Sequence, residues 1–160
     1  MISNTQPILV HHQFSLFDIS SWLSLIIRFF TRSYYNHSAL QFDLNNKTFV
    51  LEARFGGVVV ATLSEWLAHR PNKEYVVGDA YVPIDIDNFY NCWGVKYDVK
   101  SLLQQAFYII TGKWWGKQDT KRVNCAEVVA WVYKLEKPHL WTPATIEESL
   151  YFKFYPKNSK

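Results

Sequence analysis

Three side chains in this sequence are of the types that together perform acyl chemistry at sulfur: Cys125, His37 and Glu52. A thiol attacks a carbonyl as its thiolate, so it needs a base to take the proton and a setting that favours the anion. Cys125 stands in RVNCAEVVAWVYKL, immediately ahead of an amphipathic helical pattern. Asn124 is a strong N-cap type, which places Cys125 at the first helical position with Glu127 near the same end. Unpaired N–H groups there carry partial positive charge that favours a thiolate, and the Cys125 N–H is free to stabilise an oxyanion. The competing reading is packing, because a free cysteine is among the most buried residue types. On spacing alone, packing stands somewhat ahead.

The base and its partner come from a hairpin. NHSALQFDLNNKTFVLEA reads as two alternating strands around a DLNN turn. Placing the more apolar sets (Leu40 and Phe42 with Phe49, Leu51 and Ala53) on one face sends His37, Gln41, Thr48 and Glu52 to the other. A four-residue loop sets His37 directly opposite Glu52, whereas a tight turn at Asn45 and Asn46 makes them diagonal neighbours. Either way their backbones stand about 5 to 8 Å apart, within side-chain reach. A carboxylate beside an imidazole fixes its tautomer and favours its protonated form, which is how a catalytic base is oriented.

The other elements must bring that hairpin to the cysteine helix. An apolar strand near 8–14 precedes a helix over about 19–31, where Trp22, Leu23, Ile26, Ile27 and Phe30 recur at helical spacing. After the hairpin come a strand in GGVVVATL, a short helix in SEWLAHR, and a strand in KEYVVGDAYVPI, bent at Gly78 and closed by Pro83. DIDNFYNCWG, YDVKSLLQQAFYIITG and NCAEVVAWVYKLEK are then helical in pattern, each ended by Gly or Pro. Strands cluster first and helices second, so the expected fold is α+β, an antiparallel sheet packed against helices.

Composition narrows the function classes. With 160 residues the chain is expected to form one domain over 1–160, large enough for a core without disulfides or metals. Its charge of +3, from 17 basic and 14 acidic residues, carries no nucleic-acid signature. The longest apolar run, WLSLIIRFF, is too short for a bilayer and contains Arg28, so no transmembrane span is expected. The start, MISNTQPILVHHQF, lacks the basic-then-apolar order of a signal peptide, which points to synthesis in a reducing cytoplasm. Neither Cys92 nor Cys125 sits in a CxxC or Cys/His cluster, and the adjacent His11 and His12 would face opposite sides of a strand. No metal or other cofactor is expected. Cys92 reads as packed rather than reactive, with a bridge between the two cysteines left open.

Tyr97 reads as a wall of the cleft, and neighbouring Asp98 equally well as the N-cap of its helix. Trp114 and Trp115, in the glycine-flanked loop TGKWWGKQD shortly before Cys125, are candidates to line a substrate groove, with roofing of the core an equal alternative.

Taken in order, YYNHSAL, FVLEARFGGVVVATLSEWL, GVKYDVKSLL, VNCAEVVAWVY and TPATIEESLY cover nearly the whole chain. Their succession resembles the circularly permuted branch of the NlpC-type papain-like superfamily, the YiiX/YebB-like proteins related to lecithin retinol acyltransferase-like enzymes. The resemblance implies a permuted papain-like fold with Cys125 as nucleophile, His37 as general base and Glu52 as the residue that orients the histidine. It also implies a cysteine hydrolase that opens amide, ester or thioester bonds through an acyl-enzyme. The superfamily's substrates include peptidoglycan cross-peptides and lipid acyl groups, and the sequence does not choose between a peptide and an acyl substrate. A phage or virion partner, with release by lysis, is left open, as is a non-catalytic binding or structural protein that keeps the fold.

Overall fold

The computed structural model describes residues 2–11, 29–30, 33–70, 74–119 and 121–155. The helix expected over 19–31 lies outside them, apart from Phe29 and Phe30, which are helical. The strands are β1 (Ser3–His11), β2 (His37–Leu44), β3 (Lys47–Arg54), β4 (Gly57–Thr62), β5 (Glu74–Ala80), β6 (Lys96–Tyr97), β7 (Arg122–Val123) and β8 (Phe152–Phe154). The helices are α1 (Leu63–Ala68), α2 (Ile86–Asn91), α3 (Val99–Thr111), α4 (Cys125–Val132) and α5 (Pro143–Glu148), with a 3-10 turn at Pro138–Leu140. No helix among the described residues is long and apolar enough to cross a membrane.

Six strands form one sheet in the order β4-β3-β2-β1-β5-β8, and every neighbouring pair is antiparallel. The fold is thus mixed α+β, an antiparallel sheet packed against helices. Strand periodicity divides the apolar residues between two cores. Leu9, Leu40, Phe42, Leu51 and Ala53 face α2 and α4, while Ile8, Val10, Ala39 and Val50 pack on the other side with Trp66 of α1. A strand buried on both faces loses its alternation, which is why β1 reads as the continuous run ILV.

β1 begins before that apolar run. Ser3 pairs with Asp43 across an irregularity between Ser3 and Gln6, and Asn4 takes a positive φ of 47° there while its amide reaches Asp43 at 3.1 Å. Ladder bonds come from the backbone, so hydropathy does not mark such an extension. β8 and the two-residue strands β6 and β7 escape a pattern reading for the same reason, since each is too short to show a period. Gly78 continues β5 without ending it; a Cβ there would stand 2.6 Å from the Phe154 ring, so the glycine admits β8.

α4 is seated mainly by packing. Val128, Val129 and Val132 are buried, each contributing roughly 1.5 kcal/mol or more by leaving water. A cap contributes about 1 kcal/mol, so its part is to fix where the helix starts.

Candidate active site

The start of α4 is set by reciprocal bonds. Asn124 Oδ1 accepts from the Glu127 N–H at 3.0 Å, and Glu127 Oε2 accepts from the Asn124 N–H at 3.2 Å. The Val128 N–H bonds to the Asn124 carbonyl, which leaves the N–H groups of Cys125 and Ala126 as first-turn donors without an intrahelical acceptor. α3 begins alongside. Asp98 caps it through the Ser101 N–H at 3.0 Å, and Asn124 Nδ2 donates to Ser101 Oγ at 2.9 Å, so the two helix ends are tied together. β6 and β7 pair in parallel just upstream, bringing Tyr97 beside Val123 and thus close to Cys125. Gly57 permits this arrangement: at φ 127° its missing Cβ would lie 2.6 Å from the Val95 carbonyl oxygen, where β6 approaches β4.

The hairpin places the other two groups. Asn45 and Asn46 form a two-residue turn with φ values of 50° and 59°, a conformation that Asn tolerates. Of the two registers open to the sequence, this tight turn selects the diagonal one: Leu40 faces Leu51, and continuing the ladder puts Glu52 beside Ala39, two residues from His37 on the same face. His37 Nε2 lies 3.0 Å from Glu52 Oε2. Glu52 points to the face under α1, whereas α4 covers the opposite face. His37 is the first residue of β2, and from there its ring meets both Glu52 and Cys125, with which it shares a hydrogen bond.

Electrostatics follow from these contacts. Burial alone would lower the His37 pKa, but the negative charge and hydrogen bond at Cys125, followed by those of Glu52, raise it to about 9. Burial alone would raise the Cys125 thiol; the His37 charge and hydrogen bond, with the N–H and hydroxyl of Ser38, hold it below its ordinary value. Burial also works against a charge on Glu52, yet His37 and Arg70 keep its carboxyl below the usual range. The arrangement favours a thiolate beside an imidazolium. Cys125 is 2% exposed, so the sulfur sits beneath the surface.

The structure brings Cys125, His37 and Glu52 together and adds Tyr97, whose hydroxyl bonds to the Cys125 sulfur. Trp114 makes its ring contacts elsewhere, edge-on to His139 at 4.6 Å and against Tyr108 at 6.4 Å. Trp115 tilts over Phe107 at 6.4 Å and is 56% exposed. Both cysteines are free thiols. Three contributors have no counterpart in the sequence reading: Ser38, Trp66 and Arg70. Trp66 Nε1 donates to Glu52 at 3.2 Å, and Arg70 Nη2 bridges both Glu52 oxygens at 2.6 Å. Their spacing of four, on and just beyond a short helix, is the signal that would have paired them on one face.

No family model matches this chain, and no curated protein matches it either. A solved structure does. The crystal structure of metalloprotein yiiX from Escherichia coli O157:H7 superposes with a TM-score of 0.57 at 19% identity, covering 95% of this chain and 96% of that one. The two chains share a fold. At that identity the likeness speaks for architecture, and the chemistry has to be argued from the side chains.

Proposed function

We propose that this chain is a cysteine-dependent hydrolase of amide, ester or thioester bonds, with Cys125 as nucleophile, His37 as base and Glu52 orienting the histidine. The observation that carries the reading is His37 hydrogen-bonded at once to Glu52, at 3.0 Å, and to Cys125 at the first position of a helix. The yiiX-like fold and the succession of family-like segments along the sequence support a papain-like hydrolase of the permuted type.

In this mechanism Glu52 holds Nε2, so Nδ1 is the nitrogen left to exchange a proton with the thiol. The thiolate attacks the substrate carbonyl and forms the C–S bond, while the Cys125 and Ala126 N–H groups face the developing oxyanion. As the tetrahedral species collapses, the imidazolium returns its proton to the departing amine, alcohol or thiol. His37 then takes a proton from water, whose oxygen attacks the thioester; the acid leaves and the thiol is restored. Tyr97 shapes the sulfur's surroundings, and exposed Trp115 is the better placed of the two loop tryptophans to meet a substrate from outside.

The fold neighbour's name includes a metal. In this chain His37 stands between Cys125 and Glu52 through a hydrogen bond to each, and Arg70 occupies both Glu52 oxygens. Among the described residues no group of three or more His, Cys, Asp or Glu side chains is arranged to hold an ion, and no step is derived through one.

A second reading, a binding or structural protein that keeps the fold, is favoured by the burial of Cys125 at 2% exposure. The iodoacetamide labelling rate of native Cys125 against pH separates the two. Fast labelling near neutral pH that disappears in His37→Ala, followed by turnover of peptide, ester or thioester substrates, supports the enzyme. Labelling no faster than that of a free thiol, and only after unfolding, assigns Cys125 to packing.

A further inference from the structure

We propose that Arg70 and Trp66 are positioning residues for this chemistry: sharing the Glu52 carboxylate with His37, they draw its charge away from the imidazole and limit how basic it becomes. The inference rests on the Cys125, His37, Glu52 reading.

Glu52 is 3% exposed and Arg70 10% exposed, so water screens their contact little. One carboxylate oxygen, Oε2, receives His37 at 3.0 Å, Trp66 Nε1 at 3.2 Å and Arg70 Nη2 at 2.6 Å; the other, Oε1, receives Arg70 at 2.6 Å. The permanent cation is therefore nearer the carboxylate than the imidazole is. Arg70 is held in turn, with its guanidinium over the Trp66 ring at 4.6 Å and Nη1 donating to the Trp66 carbonyl at 3.3 Å. Among the described residues, the charged and titrating groups that bear on this carboxylate are His37 from β2 and Arg70 from beyond α1. Those among the described residues that bear on His37 include Glu52 from β3 and Cys125 from α4, with Tyr97 of β6 on the same sulfur.

An unshared buried carboxylate would orient His37 but also grip its proton, and a proton held too firmly is slow to reach a leaving group. A carboxylate shared with Arg70 keeps the orienting hydrogen bond while much of its field at His37 is cancelled. An ion pair placed beyond reach of the imidazole would leave the titration of His37 unmoved.

NMR titration of the His37 ring, assigned with His37→Ala, tests this in the full chain alongside Cys125 labelling, with circular dichroism to verify the fold. In Arg70→Gln the His37 midpoint is expected to move upward by on the order of one pH unit, and in Arg70→Lys, which keeps the charge, to return most of the way. Trp66→Phe removes one neutral donor and is expected to move it the same way by less. A midpoint that is unmoved or lowered in folded Arg70→Gln overturns the proposal. If that variant does not fold, Trp66→Phe decides, and an unmoved midpoint there overturns it. Failure of the underlying reading looks different: the parent protein itself would lack fast, His37-dependent labelling of Cys125, and the proposal would fall with it.

Discussion

The two cysteines are equally hidden and chemically opposite. Cys92 is fully buried at the C-cap of α2, where its S–H donates to the Phe89 carbonyl at 3.0 Å and burial pushes its pKa up to about 12. Cys125, 2% exposed, sits at the other kind of helix end, beside His37 and Ser38, and its thiol is held below the ordinary value. Desolvation acts against the anion at both sites. What differs is the sign of the helix end and the presence of a cation, so depth alone does not make a cysteine inert.

The largest expected break in that contrast is His37→Ala. Without the imidazolium, Cys125 should approach Cys92 in behaviour, its labelling at pH 6 falling by about a hundredfold, as measured by mass spectrometry on both cysteines. Glu52→Gln comes next. It leaves Arg70 buried without its counter-charge, which is expected to lower stability by about 3 kcal/mol in denaturant titration and to slow Cys125 labelling through weaker orientation of His37.

Glu127 sharpens the contrast from within the same helix end. Burial foremost, then neighbouring Asp98 and Asp119, outweigh the bonds from Asn124 and Gln118 and raise its pKa to about 7. A carboxyl whose folded value is raised stabilises the fold below its ordinary value near 4.5, and that contribution is lost as pH rises through about 7. Gln serves equally at this capping-box position. Glu127→Gln is therefore expected to be near neutral at pH 4 and to gain about 2 kcal/mol over the parent at pH 8, read from melting curves at both values. The smallest effect belongs to Cys92→Ser, whose hydroxyl can bond the same Phe89 carbonyl: the pH profile of Cys125 labelling should be unchanged. A shift there would mean that the two sites are coupled.

Local pattern was enough to read much of this candidate site's geometry. Alternation in the hairpin put His37 and Glu52 on one face, and the identities of Asn124 and Asp98 marked the caps of α4 and α3. The choice of register was not legible, because DLNN supports two loop lengths and the backbone at Asn45 and Asn46 decides between them. Nor was the clamp on Glu52. α1 lies across the sheet, and a layer contact between Arg70 and a residue on β3 leaves no periodic trace in either segment. Trp114 illustrates the converse. Closeness to Cys125 along the chain fits a substrate groove and a roof over the core equally, and it does not reveal the ring contacts with Tyr108 and His139.

The Asn45–Asn46 turn is exposed and lies apart from the proposed triad, yet it works as a ruler for it. One residue inserted there would slide β3 by a step against β2, turning Glu52 toward the face that α4 covers and presenting an aliphatic side chain in its place. A change in the length of a surface loop would thus take the proposed triad apart with all three of its residues still present. Comparing relatives position by position would miss that loss; comparing their hairpin lengths would reveal it.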